Sequence, residues 1–328
     1  EGMTATATPA IGRTARPAAG GALAGTGLLL RFALRRDRVR IPVWLAALVL
    51  GTVWPVTDFR EVYPTEAARQ AAAATMNSPA GLAFSGPAHY LSDYHYGSMV
   101  SHQVLGFLAI FVGIMSVLLV IRHTRAEEEA GRAELIRAGV VGRHAPLAAA
   151  LILATAVNLA LGLLLTVAVG STGLEGVTWE GSLLYGAANT AAGITFAGVA
   201  AVTAQLTEHS RGASGMGLAV VGAAYLVRAA GDSADSGLSW ASPIGWIQQT
   251  FAYLDDRWWP LLLNLSTAAV LTAIGFRLSL RRDLGAGMRA ARRGRPAASP
   301  MLTTPLGFAL RLHRGMLIGF AAGMLLRS

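Results

Sequence analysis

The residues with the densest chemistry lie between two long apolar runs, at 122–139: Arg122-His123-Thr124-Arg125-Ala126-Glu127-Glu128-Glu129-Ala130-Gly131-Arg132-Ala133-Glu134-Leu135-Ile136-Arg137-Ala138-Gly139. Their spacing predicts a helix. Glu128 and Arg132 stand four apart, while Glu129 with Arg132 and Glu134 with Arg137 stand three apart. In each pair the acid comes first, the order that the helix dipole favours. Leu135 and Ile136 give the helix a small apolar edge, and Gly139 supplies a stop. A short, rigid, charged helix at a membrane edge suits docking of a partner chain better than covalent chemistry. The same spacing also fits a solvated loop helix that touches only headgroups.

Other constellations are weaker. His89, Asp93, His95 and His102 lie among Tyr90, Tyr94 and Tyr96, but their spacings match no compact metal motif. An aromatic-rich cap on a membrane surface is the better reading. Asp255 and Asp256 beside Arg257, Trp258 and Trp259 read as an interfacial anchor rather than an acid/base pair. The chain has no Cys and, since all 27 basic residues are Arg, no Lys. That excludes a thiolate nucleophile, a Cys-ligated metal, a Lys Schiff base and a GxxxxGK[ST] phosphate loop. No GxSxG elbow or HExxH pair occurs. No catalytic, cofactor-binding or metal-ligating residue is assigned.

The elements that position the charged segment are apolar. Of 328 residues 53% are apolar and 14% charged, against about 25% charged in a soluble domain. Six stretches approach the roughly 20 residues that cross a bilayer: 41–57, interrupted by Pro42 and Pro55, then 100–121, 145–169, 183–206, 216–230 and 259–276. A soluble bundle of buried helices is the rival, but the third stretch runs about 25 residues without a charge, as a span does. The expected fold is all-α, a polytopic membrane protein with a six-helix transmembrane unit and the start of a second repeat. Arg placement orients it: 22 Arg fall on one side and 4 on the other, with Arg327 unassigned. By the positive-inside rule the N-terminus is cytoplasmic. Anionic lipid and topology explain the basic faces without nucleic acid.

The expected organisation follows. Residues 1–24 read as a disordered cytoplasmic tail and 25–40 as an interfacial helix. On that helix Arg31, Arg35 and Arg38 share one face, with Leu29, Phe32 and Ala33 opposite. Residues 41–276 form the six-span domain with its cytoplasmic segment 122–144, followed by a basic linker at 277–304. The run Phe-Ala-Leu-Arg-Arg-Asp-Arg at 32–38 returns as Phe-Ala-Leu-Arg-Leu-His-Arg at 308–314. Residues 305–328 therefore read as the opening of a second unit. The apolar run after Met316 stops at Ser328, which predicts a truncated sequence whose parent has about twelve spans. Within the spans, Asn158 and Asn189 either line a pathway or make interhelical hydrogen bonds. Arg228, near a span end, is expected to snorkel outward.

The pattern Thr124, Arg125, Glu127, Glu128, Glu129, Gly131, Arg132, Glu134, Leu135, with the basic Phe-Ala-Leu-Arg flank, resembles the membrane subunits of actinobacterial ABC-2-type exporters. These are often described as polyketide or antibiotic exporter permeases. The resemblance implies that Arg125, Glu127–Glu129, Gly131, Arg132, Glu134 and Leu135 form a coupling helix seated on a separate ABC ATPase. ATP and Mg would sit on that subunit, with no cofactor in this chain. It also implies a bacterial plasma membrane, lipid contact, and a second transmembrane half or homodimer partner. The exported molecule would be hydrophobic or amphiphilic. Two alternatives stand beside it: an ion-gradient-driven carrier, against which the lack of a central Asp or Glu in any span counts, and a non-transporting membrane assembly subunit.

Overall fold

The computed structural model describes residues 21–131, 141–281, 304–313 and 317. Among the described residues every regular element is helical, and six helices are long and apolar enough to cross a membrane. The chain is an all-α polytopic membrane protein. It divides into two compact units, residues 1–289 and 290–328; within the second, residues 305–313 are helical. The elements below belong to the first unit.

Helix α1 (Thr26–Arg36) precedes the first span, α2 (Arg40–Val62). Helices α3 (Glu66–Met76) and α4 (Pro79–Phe84), with a 3-10 turn at Ala88–Ser92, build the long connection to the second span. That span is composite: α5 (Tyr96–Val100), a π turn at Ser101–Leu105 and α6 (Gly106–Arg122), followed by the short α7 (Arg125–Glu129). The third to fifth spans are α8 (Ala145–Gly170), α9 (Trp179–Leu206) and α10 (Ser210–Ser233). A cap containing α11 (Pro243–Gln248) leads to the sixth, α12 (Leu261–Arg281).

Helix α9 is the axis, with α6, α8, α10 and α12 packed around it. Lipid tails are as apolar as leucine, so membrane helices associate through close packing and hydrogen bonds rather than through hydrophobic exclusion. The α8–α9 crossing shows this. A Cβ on Gly162 would stand 2.7 Å from the carbonyl oxygen of Gly186, so the two backbones touch. Beside that contact Thr190 Oγ1 donates to the carbonyls of Asn158 and Gly186, each at 3.0 Å. The opposite faces carry exposed large apolar residues at helical spacing: Leu159, Leu163 and Val167 on α8, Val43, Leu50 and Trp54 on α2, Leu262 and Leu265 on α12. Such stripes suit lipid contact.

Three sequence expectations change in detail. The first span is not interrupted. Pro42 falls in the first turn, where its missing N–H has no helical partner to lose, and the helix runs through Pro55. The interfacial helix ends at Arg36, so Arg38 lies in the following turn and does not share a face with Arg31 and Arg35. Asp37 stands at the break: its backbone leaves the helix with its N–H still on the Ala33 carbonyl, and its side chain is buried. Arg228 does not snorkel. It is fully buried, with Nη1 3.3 Å from Asp232 Oδ2, Nη2 3.4 Å from the Phe84 carbonyl, and the guanidinium 4.3 Å from the Tyr225 ring centroid.

Candidate functional site

The charged segment is anchored from three directions. Its N-terminal turn grows out of α6, where Thr124 Oγ1 donates to the Val120 carbonyl at 2.7 Å. Arg125 is 1% exposed, and its Nη1 donates to Glu128 Oε2 at 2.6 Å. Glu127 is buried and accepts from Arg36 of α1. Glu129 reaches the start of α10, where Ser210 donates to Oε2 through its backbone N–H at 2.9 Å and its hydroxyl at 2.5 Å. A carboxylate there satisfies an orphan donor and meets the positive end of the helix dipole. Helix α10 has no side-chain cap of its own, so Glu129 supplies one from outside. Glu129→Ala is expected to lower stability by about 0.5–1 kcal/mol, the size of a lost N-cap at an exposed position. Thermal unfolding of the purified protein measures it, and an unchanged midpoint would remove the capping role.

Next to this segment, α1 is locked to α6. Asp37 is 1% exposed and accepts from Arg122 Nε at 3.0 Å and His123 Nε2 at 2.7 Å. Together with Arg36–Glu127 this joins the basic N-terminal helix to the end of the second span and to α7.

The expected helix is shorter than its spacing implied. It ends at Glu129, and Gly131 turns the chain with φ 71°, a left-handed conformation that glycine takes without steric penalty. Gly131 rather than Gly139 is therefore the first stop. Arg132, Glu134 and Leu135 lie outside the described residues, as do the pairs expected of them. Among the described residues Glu128 meets Arg125, one turn earlier. The segment thus turns several of its charges inward, where a solvated loop helix would turn them to water.

Of the two amides singled out in the sequence, Asn158 donates through Nδ2 to Ser116 Oγ at 3.0 Å and to the Ala154 carbonyl at 2.8 Å, tying α8 to α6. Asn189 donates to the Tyr185 carbonyl on its own helix at 3.0 Å. Both are fully buried. An open apolar groove of about 540 Å³ runs between α8, α9 and α12, walled by Leu159, Leu163, Ile194, Trp258 and Leu262. Thr190 belongs to its wall, so Asn158 stands one hydrogen bond behind it.

On the opposite side the histidines serve separate purposes. His89 pairs with Asp255 at 2.8 Å, and His95 Nδ1 accepts from the Ser98 N–H at 3.3 Å. The buried His102 sits 3.0 Å from the Tyr94 hydroxyl. Burial pushes the Tyr94 hydroxyl up to about 12, and as a neutral phenol it meets both His102 and Gln103. Among the described residues no three His, Asp or Glu side chains converge.

Asp37, Arg36, Ser210 and Asp232 are absent from the sequence-level site. Asp37 is the lone acid among five Arg in residues 31–40, a signal that a specific partner awaited it. Asp232 stands four residues from Arg228, helical ion-pair spacing, although with the base first.

Six candidate spans, four of them packed on the small-residue helix α9, with a charged segment tied to two of the spans, define a polytopic membrane protein. The comparisons carry this further. Residues 29–278 match the family described as multidrug efflux system permease Rv1217c, C-terminal domain, and the chain belongs to that family. It is 44% identical over 315 residues to the multidrug efflux system permease protein Rv1217c of Mycobacterium tuberculosis (strain ATCC 25618 / H37Rv). That alignment covers 94% of this chain and 56% of the relative, so the chain spans about half the relative's length.

Proposed function

We propose that this chain is the membrane-spanning permease part of an ATP-driven, ABC-2-type exporter for a hydrophobic or amphiphilic small molecule such as an antibiotic. It lies in a bacterial plasma membrane with its N-terminus in the cytoplasm, where the 22 Arg concentrate. A separate ABC ATPase holds ATP and Mg and docks on residues 125–135. A second six-span unit, in the same polypeptide or a second copy, completes the pathway; the 276-residue repeat supports it.

One observation carries this reading. The segment from Arg125 to Glu129 is bonded to α1 through Glu127, continuous with the second span, and bonded to the fifth span through Glu129. Force applied there reaches the second span through the chain itself, and α1 and the fifth span through charge-assisted bonds. A segment serving only as a loop has no need of such ties. In this arrangement the chain's residues transmit motion, and the hydrolysis of ATP is the partner's. The groove between α8, α9 and α12 offers an apolar surface to an amphiphile, and Asn158 lies behind its Thr190 wall, joined to it through the Asn158 backbone carbonyl; Asn189 precedes Thr190 on α9.

The test is co-expression of the full chain with an ABC ATPase that has a phosphate-binding loop. We expect co-purification and export that stops when ATP turnover is blocked. Replacing Glu128, Gly131 and Glu134 together with alanine is expected to reduce ATP-dependent export at least tenfold while membrane insertion persists. Export unchanged in that variant would sink the coupling role. Export that survives loss of the ATPase but collapses with the proton gradient would establish the ion-driven carrier instead.

A further inference from the structure

A second groove, of about 220 Å³, opens on the Arg-rich side between the start of α2, the end of α6 and the middle of α8. Arg40 and Arg122 stand at its polar end; Trp44, Met115, Leu118 and Val157 wall the rest. The two guanidiniums are not neutralised in the same way. Arg40 is exposed and has no carboxylate partner among the described residues. Arg122 donates its Nε to Asp37, and its two Nη groups make no hydrogen bond among the described residues. Asp37 is 1% exposed, so it fixes the Arg122 fork without presenting its own charge to the groove.

We infer that this groove is a binding site for one anionic phospholipid, its phosphate held between Arg40 and Arg122 and its upper acyl chain laid along Trp44, Leu118 and Met115. The polar end matches a phosphodiester in charge, and a guanidinium fork matches its oxygens in shape. Free phosphate satisfies that end alone and leaves the apolar wall without a ligand. An amphiphile satisfies both. The volume accommodates a phosphate and glycerol; the rest of the chains continues along lipid-facing helix surface, where Leu118 is already 37% exposed. Trp44 sits one turn from Arg40, and an indole beside a span end favours the headgroup boundary. The site bridges the first two spans beside the Asp37 lock, and needs no ATPase to form.

The full chain, purified in detergent and stripped of lipid, is titrated with phosphatidylglycerol, phosphatidylcholine or inorganic phosphate. Thermal unfolding and native mass spectrometry are read together. Phosphatidylglycerol is expected to raise the unfolding midpoint saturably with one tightly retained lipid, and the other two probes to do neither. Arg40→Gln is expected to weaken retention about fivefold, the worth of one surface guanidinium toward anionic lipid. Arg38→Gln, the same loss of charge in the preceding turn but outside the groove, is expected to leave it unchanged. Leu118→Trp fills the apolar wall without touching a charge and is expected to expel the lipid. Equal losses in the Arg38 and Arg40 variants, full retention in Leu118→Trp, or a full midpoint shift with phosphate alone would each overturn the site.

Discussion

Asp232→Ala is expected to destabilise the protein by about 3–5 kcal/mol, the cost of leaving a buried charge without its partner. Arg228 and Asp232 have side chains 0% and 2% exposed. Asp232 Oδ1 also accepts from Ser239 Oγ at 2.6 Å, which ties the pair to the 3-10 turn at Gly237–Ala241. Arg228 Nη2 reaches the Phe84 carbonyl at the end of α4. Removing the carboxylate therefore loosens the fifth span, the outer cap and the first connection together. The Tyr225 ring face offers partial compensation, worth at most about 2 kcal/mol when desolvated. The discriminating experiment is the double replacement Arg228→Met with Asp232→Leu. Buried pairs replaced by apolar residues of similar volume are often neutral, so the double variant should unfold within about 1.5 kcal/mol of the parent. Equilibrium unfolding in detergent measures both. A single variant as stable as the parent would show that Arg228 finds water once released.

The reason Arg228 escaped its expected place bears on what a sequence can disclose. The six spans were legible because about 20 apolar residues in a row have few other uses. The helix ends were less legible: the first span extends from 41–57 to Arg40–Val62, since Asp58 and Glu61 continue a helix beyond the hydrocarbon. Pairings were hardest. Asp37 and Arg122 stand 85 positions apart, and Glu129 and Ser210 stand 81 apart. Their meeting follows from how α1, α6 and α10 pack, which no local period encodes. Arginines beside a span also look alike whether they face lipid or a buried acid, so a topological signal hid a structural one. Of the expected coupling residues, Arg125, Glu127, Glu128 and Glu129 come together in one turn. Gly131 was not legible as a helix stop in the sequence, because a glycine four positions past Glu127 looks like any other until its backbone takes φ 71°.

Asp37 gives the second large effect, and the one that bears on transmission. Asp37→Ala is expected to destabilise by about 2–3 kcal/mol, less than a fully buried pair loses. The discount has a physical cause: the Arg122 side chain is 28% exposed and regains water, whereas His123, 6% exposed, loses its carboxylate with little access to solvent. Asp37→Asn retains an acceptor for Arg122 without the charge, and about half the loss is expected. The functional consequence is separable from stability. With Asp37 gone, α1 is held near α7 by Arg36–Glu127 alone among the described ion pairs, so motion of α7 reaches the first span less faithfully. In the co-expressed exporter, Asp37→Ala should leave ATPase binding intact while lowering export per ATP hydrolysed. Glu129→Ala, with a smaller stability effect, serves as the reference. If Asp37→Ala lowers the unfolding midpoint no more than Glu129→Ala does, the buried carboxylate is not what holds α1. If export per ATP is unchanged, packing alone holds α1 in place, through Ala33 and the α1 face laid against α8.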